Sequence, residues 1–345
     1  MQSPEVKPAA IVGTDITEVG RVADQSARRH TFVDYRERRA AQTLRRQAAD
    51  LALFSEYLSQ VGIVAGDLVN DPEAWRGMTW GIIKGFLRWQ LREGYAVRSV
   101  NVRLSTVKRY ATLALEAGTV SAEDHALIRT VTGYNRAEGK RVNDVRRVEG
   151  IPTRSGRKKS VPVAFTTAQA KALKAQPADT AQGRRDTLLM CLLLDHGLRV
   201  SEVAELSVGD FDLSRGEMVF HRPKVDKTQT HRLSVDTLAA ARAYFEADAL
   251  AAGPLMRRSR KDGRLHGAGM TARRLTERVK VLGAIAGIEG LSAHDCRHYW
   301  ATAAARNGTP IDRLMDAGGW TSPAMPLQYI RAAAIANEGV RLESE

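Results

Sequence analysis

Apolar positions recur at spacings of three and four through the first half of the chain, the mark of helices that each bury one face. Leu44, Ala48, Leu51, Leu53, Phe54, Tyr57 and Leu58 predict one such helix, and Ile82, Ile83, Phe86, Leu87 and Leu91 predict a second that stops near Gly94. Ser99 is the expected cap of a third, which carries Val100, Leu104, Val107, Ala111, Leu113 and Leu115 and ends near Gly118. Residues 1–30 hold two prolines and two glycines and no sustained apolar face, and read as a flexible arm. Residues 31–140 are therefore expected to form a small, all-helical domain.

From Arg141 to Pro162 the periodicity fades while charge, Gly and Pro accumulate, Arg154, Arg157, Lys158 and Lys159 among them, so residues 141–162 read as a basic linker. A second domain, residues 163–345, opens with Thr166 or Thr167 as helix cap and carries the apolar run Leu188, Leu189, Cys191, Leu192, Leu193 and Leu194. Inside it Met218 and Phe220 alternate with polar residues, Lys224 to Thr230 is polar, and Leu233 and Val235 alternate again. That pattern predicts a β-hairpin with a basic tip, after which helices resume from Val235. The expected fold class is mostly α, with a small β-hairpin in the second domain.

A chain of 345 residues is long enough for two cores, and 52 Lys and Arg against 39 Asp and Glu leave a formal charge of +13. Such an excess points to a polyanion, because neutralising phosphates releases counterions. Basic residues outnumber acidic ones in both halves, which suits a ligand held between two domains better than one charged tail. The two cysteines, Cys191 and Cys296, lie in helical apolar contexts and argue against a disulfide framework. No secretory leader is recognised, and no apolar stretch approaches the roughly 20 residues that span a bilayer. These features predict a soluble, cytoplasmic protein with no membrane partner.

Five residues of the second domain stand in an order that suits one phosphate-cutting site: Arg199 in Asp195-His196-Gly197-Leu198-Arg199-Val200-Ser201-Glu202, Lys227 in the hairpin, His294 and Arg297 three apart, and Tyr329. Guanidinium groups suit the spread negative charge of a phosphodiester transition state, since they are planar, always charged and able to bond two oxygens. A phenol with a pKa near 10 attacks phosphorus only with a proton acceptor or a strongly positive pocket. His294 can accept that proton, and a hairpin lysine can protonate the departing sugar oxygen. Lys227 is the first choice and Lys224 the alternative. The alternate spacing of His294, Cys296 and His298 does not put three ligands on one helix face, so no metal site is expected.

In this order and company the residues resemble the tyrosine recombinases, the family of phage integrases, Xer proteins and Cre, over roughly residues 31 to 340. The resemblance implies that Tyr329 is the nucleophile, forming a covalent 3′-phosphotyrosyl intermediate, and that Arg199, Arg297, His294 and Lys227 assist it. It assigns Glu202, one turn after Arg199, a supporting acidic position, although on spacing alone that residue is an ordinary salt-bridge partner. It also places Trp320, in Gly318-Gly319-Trp320, where the Cre-like branch has Trp; indole donates a hydrogen bond but shuttles no proton, and a core-anchor role remains compatible. Pro323 is expected to begin the tyrosine helix and Pro326 to kink it or delay its start.

What the resemblance further implies is a two-domain clamp on double-stranded DNA, with protomers assembling as a tetramer on specific recombination sites and exchanging strands through a Holliday junction, with neither metal nor ATP. Such a protein would be nucleoid-associated, and monomeric or weakly oligomeric in solution. The final segment past Tyr329 is expected to form a terminal helix, packed either in cis or into a neighbour. Arg45, Arg46, Lys84, Arg88, Arg103, Lys108 and Arg109 lie on polar helix faces and Lys158 and Lys159 in the linker, all positioned either to contact DNA or simply to be solvated. Two other classes stay open: a type IB topoisomerase and a noncatalytic DNA-binding accessory protein of the same fold. Filling of all seven site positions argues against the second.

Overall fold

The computed structural model describes residues 15–154, 162–260 and 262–333. Two compact units divide in sequence between Lys158 and Lys159.

The first unit contains α1 (Ile16–Glu37), α2 (Ala41–Gln60), a 3-10 turn (Pro72–Trp75), α3 (Trp80–Arg92), α4 (Val97–Ala117), α5 (Ala122–Thr130) and α6 (Arg136–Val148). α4 is the hub, packed by α1, α2, α3 and α5. Phe54, Trp75, Ile83, Phe86, Val100, Val107 and Ile128 are wholly buried around it. Each such side chain contributes about 2 kcal/mol of burial, and the aromatic rings interlock, Phe54 on Phe86 at 4.9 Å and Trp75 stacked on Tyr110 at 6.2 Å.

Three expectations for this unit need correction. Residues 16–30 are helical rather than a flexible arm: Asp15 caps α1 by accepting from the Thr17 N–H at 2.9 Å, and α1 packs on α4. Only Phe32 and Tyr35 of α1 are buried, so its first half has no apolar stripe for a periodicity reading to find. Residues 1–14 lie outside the described residues. Ser99 does not cap α4; Ala96 stands there with no side-chain bond, and Ser99 is already in the first turn.

Finally, residues 141–148 belong to α6, which opens on a capping box of Asn135 and Glu138. Arg146 of α6, only 3 % exposed, gives N–H bonds to the carbonyls of Leu91 and Tyr95 at 2.6 and 2.9 Å. Leu91 lies in the last turn of α3, where a cation is favoured, and Tyr95 just past its end. A charge-rich stretch is thus held down by one arginine. Arg154 likewise bonds Glu93 at 2.8 Å, and Arg157, Lys158 and Lys159 lie outside the described residues.

The second unit begins with α7 (Thr167–Lys174), α8 (Ala181–Asp195) and α9 (Val200–Glu205), followed by strands β1 (Phe211–Asp212), β2 (Glu217–Arg222) and β3 (Lys227–Arg232). It continues with α10 (Val235–Ala247), β4 (Arg257–Ser259), β5 (Leu265–Gly269), α11 (Ala272–Ile285), α12 (Ala293–Arg306), α13 (Ile311–Gly318) and α14 (Ala324–Ala333). Thr166 caps α7 in a box with Gln169. α8 is apolar on almost every side, Leu188 to Leu194 being buried throughout, because α7, α10 and α12 surround it.

β1, β2 and β3 form an antiparallel sheet in that order, with Phe220 opposite Gln229 and Arg222 opposite Lys227. The hairpin exists, but the polar run supplies its second strand, whereas Leu233 and Val235 follow it. The separate β4–β5 ribbon was not foreseen, its sequence being too polar to alternate. Pro326 neither delays nor interrupts α14: it lies in the first turn, where an N–H has no intrahelical acceptor to lose, and Leu327 N–H reaches Pro323 O at 2.9 Å. The terminal segment from residue 334 on lies outside the described residues. No helix among the described residues is long and apolar enough to cross a membrane.

His196, at the C-terminal end of α8, and His231 of β3 lie with rings 5.7 Å apart, and burial pushes both imidazoles down to about 4. Unfolded, each takes a proton at about pH 6.5. Their burial therefore costs nothing at neutral pH, and stability is lost as pH falls from about 7 toward 4, where the unfolded chain binds the extra protons. By about pH 5 the loss is expected to be on the order of 2 kcal/mol for one such imidazole. Denaturant midpoints measured across that range should fall, and His231→Gln should flatten the slope; a slope unchanged by the substitution would refute the assignment.

Candidate active site

Gly197 turns the chain from α8 into α9 with φ +59, and the Trp300 ring occupies the place a Cβ would take, 2.2 Å from it. That turn puts Arg199 at the head of α9, where its own N–H bonds Glu202 Oε2 at 2.8 Å and its guanidinium bonds Oε1 at 2.7 Å. A second guanidinium N–H points to Gly319 O at 3.4 Å. The spacing Arg199 to Glu202 is thus the first turn of a helix, with the carboxylate folded back on the residue that starts it.

Arg297 reaches the same place from α12. It is 3 % exposed, donates to Gly197 O at 2.6 Å and to Gly318 O, and lies 4.4 Å over the Trp320 ring. Trp320 in turn stacks on Trp300 at 6.0 Å. Burial lowers the Arg297 guanidinium to about 9, with repulsion from Arg199 adding to it. Gly318 and Gly319 end α13, and Gly319 adopts φ +60. The last carbonyls of a helix carry partial negative charge, so two arginines converging there need no second carboxylate.

A third guanidinium completes the cluster. Arg222, at the end of β2, has no exposed surface. It donates to both oxygens of Glu202 at 3.0 Å, to Ala317 O at 2.7 Å, to Gly318 O at 3.3 Å and to Gln229 Oε1. Sequence reading missed it; the signal was an arginine in a strand register where Met218 and Phe220 also point inward. Three arginines and one carboxylate, Glu202, bonded by Arg199 and Arg222, leave the cluster positive, which is what a phosphate requires.

Tyr329, 2 % exposed, lies 5.5 Å from the Trp320 ring. Burial raises its phenol above the ordinary value, opposed by Arg297 and then Arg199. The imidazole against it is His298, edge-on at 4.9 Å, whereas His294 stands exposed on the first turn of α12. His298 is four residues after His294 and so one turn further along the same helix face. Burial lowers the His298 pKa. Among the described residues no group of three metal-ligating side chains is found.

Lys227 opens β3 and bonds Asp316 of α13 at 2.6 Å, which holds the Asp316 carboxyl below its ordinary pKa; Lys224 is exposed in the turn. The structure therefore brings Arg199, Glu202, Arg297, Trp320 and Tyr329 together, sets Lys227 on the last turn of α13, and leaves His294 at the surface.

In the first unit Arg45, Arg46, Lys84 and Arg88 are exposed, Lys84 lying 5.1 Å over the Trp80 ring. Arg46, Arg103, Lys108 and Arg109 are engaged within the domain. Arg46 bonds Asp50 and Thr106, Arg103 bonds Gln90 and covers Tyr95, Lys108 caps the carbonyls of Arg129 and Val131, and Arg109 lies over Tyr35. Arg258, Arg260 and Arg264 of the β4–β5 ribbon are exposed basic residues that periodicity did not single out.

Residues 164–335 match the model described as the phage integrase family. The tyrosine recombinase XerD of Neisseria meningitidis serogroup B is 29 % identical over 187 residues, which is 53 % of this chain and 62 % of that protein, less than two thirds of its length. XerA of Thermococcus kodakarensis is 28 % identical over 248 residues, 68 % of this chain and 85 % of that protein. Among solved structures, a lambda integrase dimer bound to a COC′ core site aligns with a TM-score of 0.58 at 14 % identity, covering 97 % of this chain and 85 % of that one. The Tn1549 transposon integrase in complex with transposon right-end DNA aligns at 0.55 and 15 % identity, covering 88 % and 94 %. At those identities the likeness is one of fold.

Gly197→Ala would drive a Cβ into Trp300 and place an L-residue at positive φ, so unfolding free energy should drop by about 1–3 kcal/mol. A urea titration checks this; an unchanged midpoint would show that Trp300 does not hold the Arg199 turn.

Proposed function

Because the chain belongs to the phage integrase family, that of the tyrosine recombinases, we propose that it is a site-specific DNA recombinase that breaks and rejoins strands through Tyr329. The observation that carries this reading is the convergence of Arg199 and Arg297 on the end of α13, two residues whose guanidinium groups share the carbonyls of Gly318 and Gly319 beside Trp320 and Tyr329.

In the proposed reaction Arg199 and Arg297 bind the nonbridging oxygens of one phosphodiester and stabilise the charge that builds on them, each donor contributing about 3 kcal/mol. The Tyr329 oxygen attacks phosphorus, its proton passing to His294; the P–O5′ bond breaks and Lys227 protonates the leaving 5′ oxygen. The 3′ phosphate stays on the tyrosine. Attack by a 5′ hydroxyl from another strand reverses the steps and yields a Holliday junction after the first exchange. Every role falls to a side chain, so neither metal nor ATP enters the proposal.

Two features of the free protein bear on it. Tyr329 is stowed and protonated, so DNA must draw it out toward the arginines before it reacts. The Lys227–Asp316 pair is more than half exposed on both sides, and an ion pair of that kind is worth at most about 1 kcal/mol. Opening it to release the lysine is cheap. Double-stranded DNA is the proposed partner, held as a tetramer of protomers at paired sites, with Glu202 supporting Arg199.

Wild type and Tyr329→Phe, expressed in cells and lysed in denaturant, should differ in protein-linked DNA. Sequencing is expected to find adducts at discrete sites with the wild type alone. Scattered adducts would favour topoisomerase chemistry, adducts in both would remove Tyr329 from the role, and none in either would turn the reading toward a noncatalytic binder.

Exposed Arg88 and internally bonded Lys108 also separate by test. Arg88→Gln should make the salt dependence of DNA affinity shallower by roughly one counterion. Lys108→Gln should instead lower stability by about 1 kcal/mol, through the freed carbonyls, with the salt slope intact.

A further inference from the structure

We infer that Arg222 is a positioning residue that keeps Arg199 available to phosphate by sharing the charge of Glu202 and by fixing the carbonyl end of α13. The inference rests on the phosphate-binding role given above to Arg199 and Arg297.

A carboxylate offers about four acceptor positions. On Glu202 these are occupied by the Arg199 backbone N–H at 2.8 Å, one Arg199 guanidinium N–H at 2.7 Å, and Arg222 at 3.0 Å on each oxygen. Arg199 is thus anchored by one side-chain bond to an acid whose charge is divided between two cations. Its side chain keeps 24 % exposure, against none for Arg222. Without Arg222 the same buried carboxylate would face Arg199 alone, and a one-to-one buried pair neutralises the cation that phosphate needs.

The second half of the role is geometric. Arg222 bonds the carbonyls of Ala317 and Gly318, and the adjacent Gly319 has no room for a Cβ, which would meet the Arg222 side chain at 2.6 Å. Gly318 O receives Arg297 and Gly319 O receives Arg199, so both phosphate-binding arginines are aimed at a segment that Arg222 holds. Gln229 joins the strap by accepting from Arg222 and donating to Asp316 O at 2.8 Å. With every guanidinium contact made inside the protein, Arg222 is not itself a phosphate ligand.

The test is a cycle of Arg222→Met, Glu202→Gln and the double substitution in the full chain, read by inorganic phosphate titration at constant ionic strength. The signal is tryptophan fluorescence, with Arg199→Ala as the variant that must abolish the response. Arg222→Met should weaken phosphate binding by roughly tenfold or more, and adding Glu202→Gln should restore it to within about threefold. A merely structural arginine predicts the opposite, a double variant worse than either single one. If Arg222→Met does not fold, Arg222→Lys is read instead, with weaker binding again rescued by Glu202→Gln. Unaltered phosphate affinity in the folded Arg222 variant, failure of the rescue, or no Arg199-dependent response in the wild type would each overturn the inference. In-cell adduct yields should follow the same order. An intact phosphate cycle with no Tyr329-dependent adducts would sink the recombinase reading and leave Arg222 in its place, whereas adducts with a flat cycle would do the reverse.

Discussion

The second unit is organised around the cost of burying guanidinium charge. Arg222 and Arg297 are both almost wholly buried, and an arginine removed from water without partners would not be tolerated. One carboxylate, Glu202, the Gln229 side-chain oxygen and the carbonyls of Gly197, Ala317 and Gly318 supply those partners. The turn after α8, the end of β2 and the end of α13 are all held in register by this need. Because carbonyl dipoles rather than carboxylates meet most of the N–H groups, the cations are satisfied without being cancelled.

Aromatic packing sets the same pieces from the other side. Trp300 fills the space left by Gly197, stacks on Trp320 and so backs the face of Arg297, while Trp320 and His298 bracket the Tyr329 ring. The tyrosine therefore rests on the same rings that orient the arginines. In the first unit the basic residues divide by a similar accounting: those near carbonyls or carboxylates serve the fold, Lys84 lies over Trp80, and Arg45 and Arg88 remain for solvent or a polyanion.

Much of this was legible in the chain. The helix faces of α2, α3 and α4 follow from apolar spacing, Gly118 ends α4, and Thr166 caps α7, since each depends on a few neighbouring residues. Arg199, Arg297 and Tyr329 could be singled out by residue type and order, Glu202 and Trp320 only through the family resemblance, and the fold brings the five together. Two of the failures share one cause. Residues 16–30 and 141–148 are helices whose stabilising partners lie far off in sequence, α4 for the first and the end of α3 for the second, so their own composition reads as arm and linker.

By itself, then, the sequence determined the helical faces, the basic balance and the order of the candidate site residues, all properties written in residue type and short-range spacing. Tertiary structure alone decided which imidazole lies against Tyr329, which lysine meets α13, and that Arg222 belongs to the site at all. Those depend on contacts spanning up to 96 residues, as between Arg222 and Gly318, and on burial, which turns an ordinary strand arginine into a charge that must be answered by named partners.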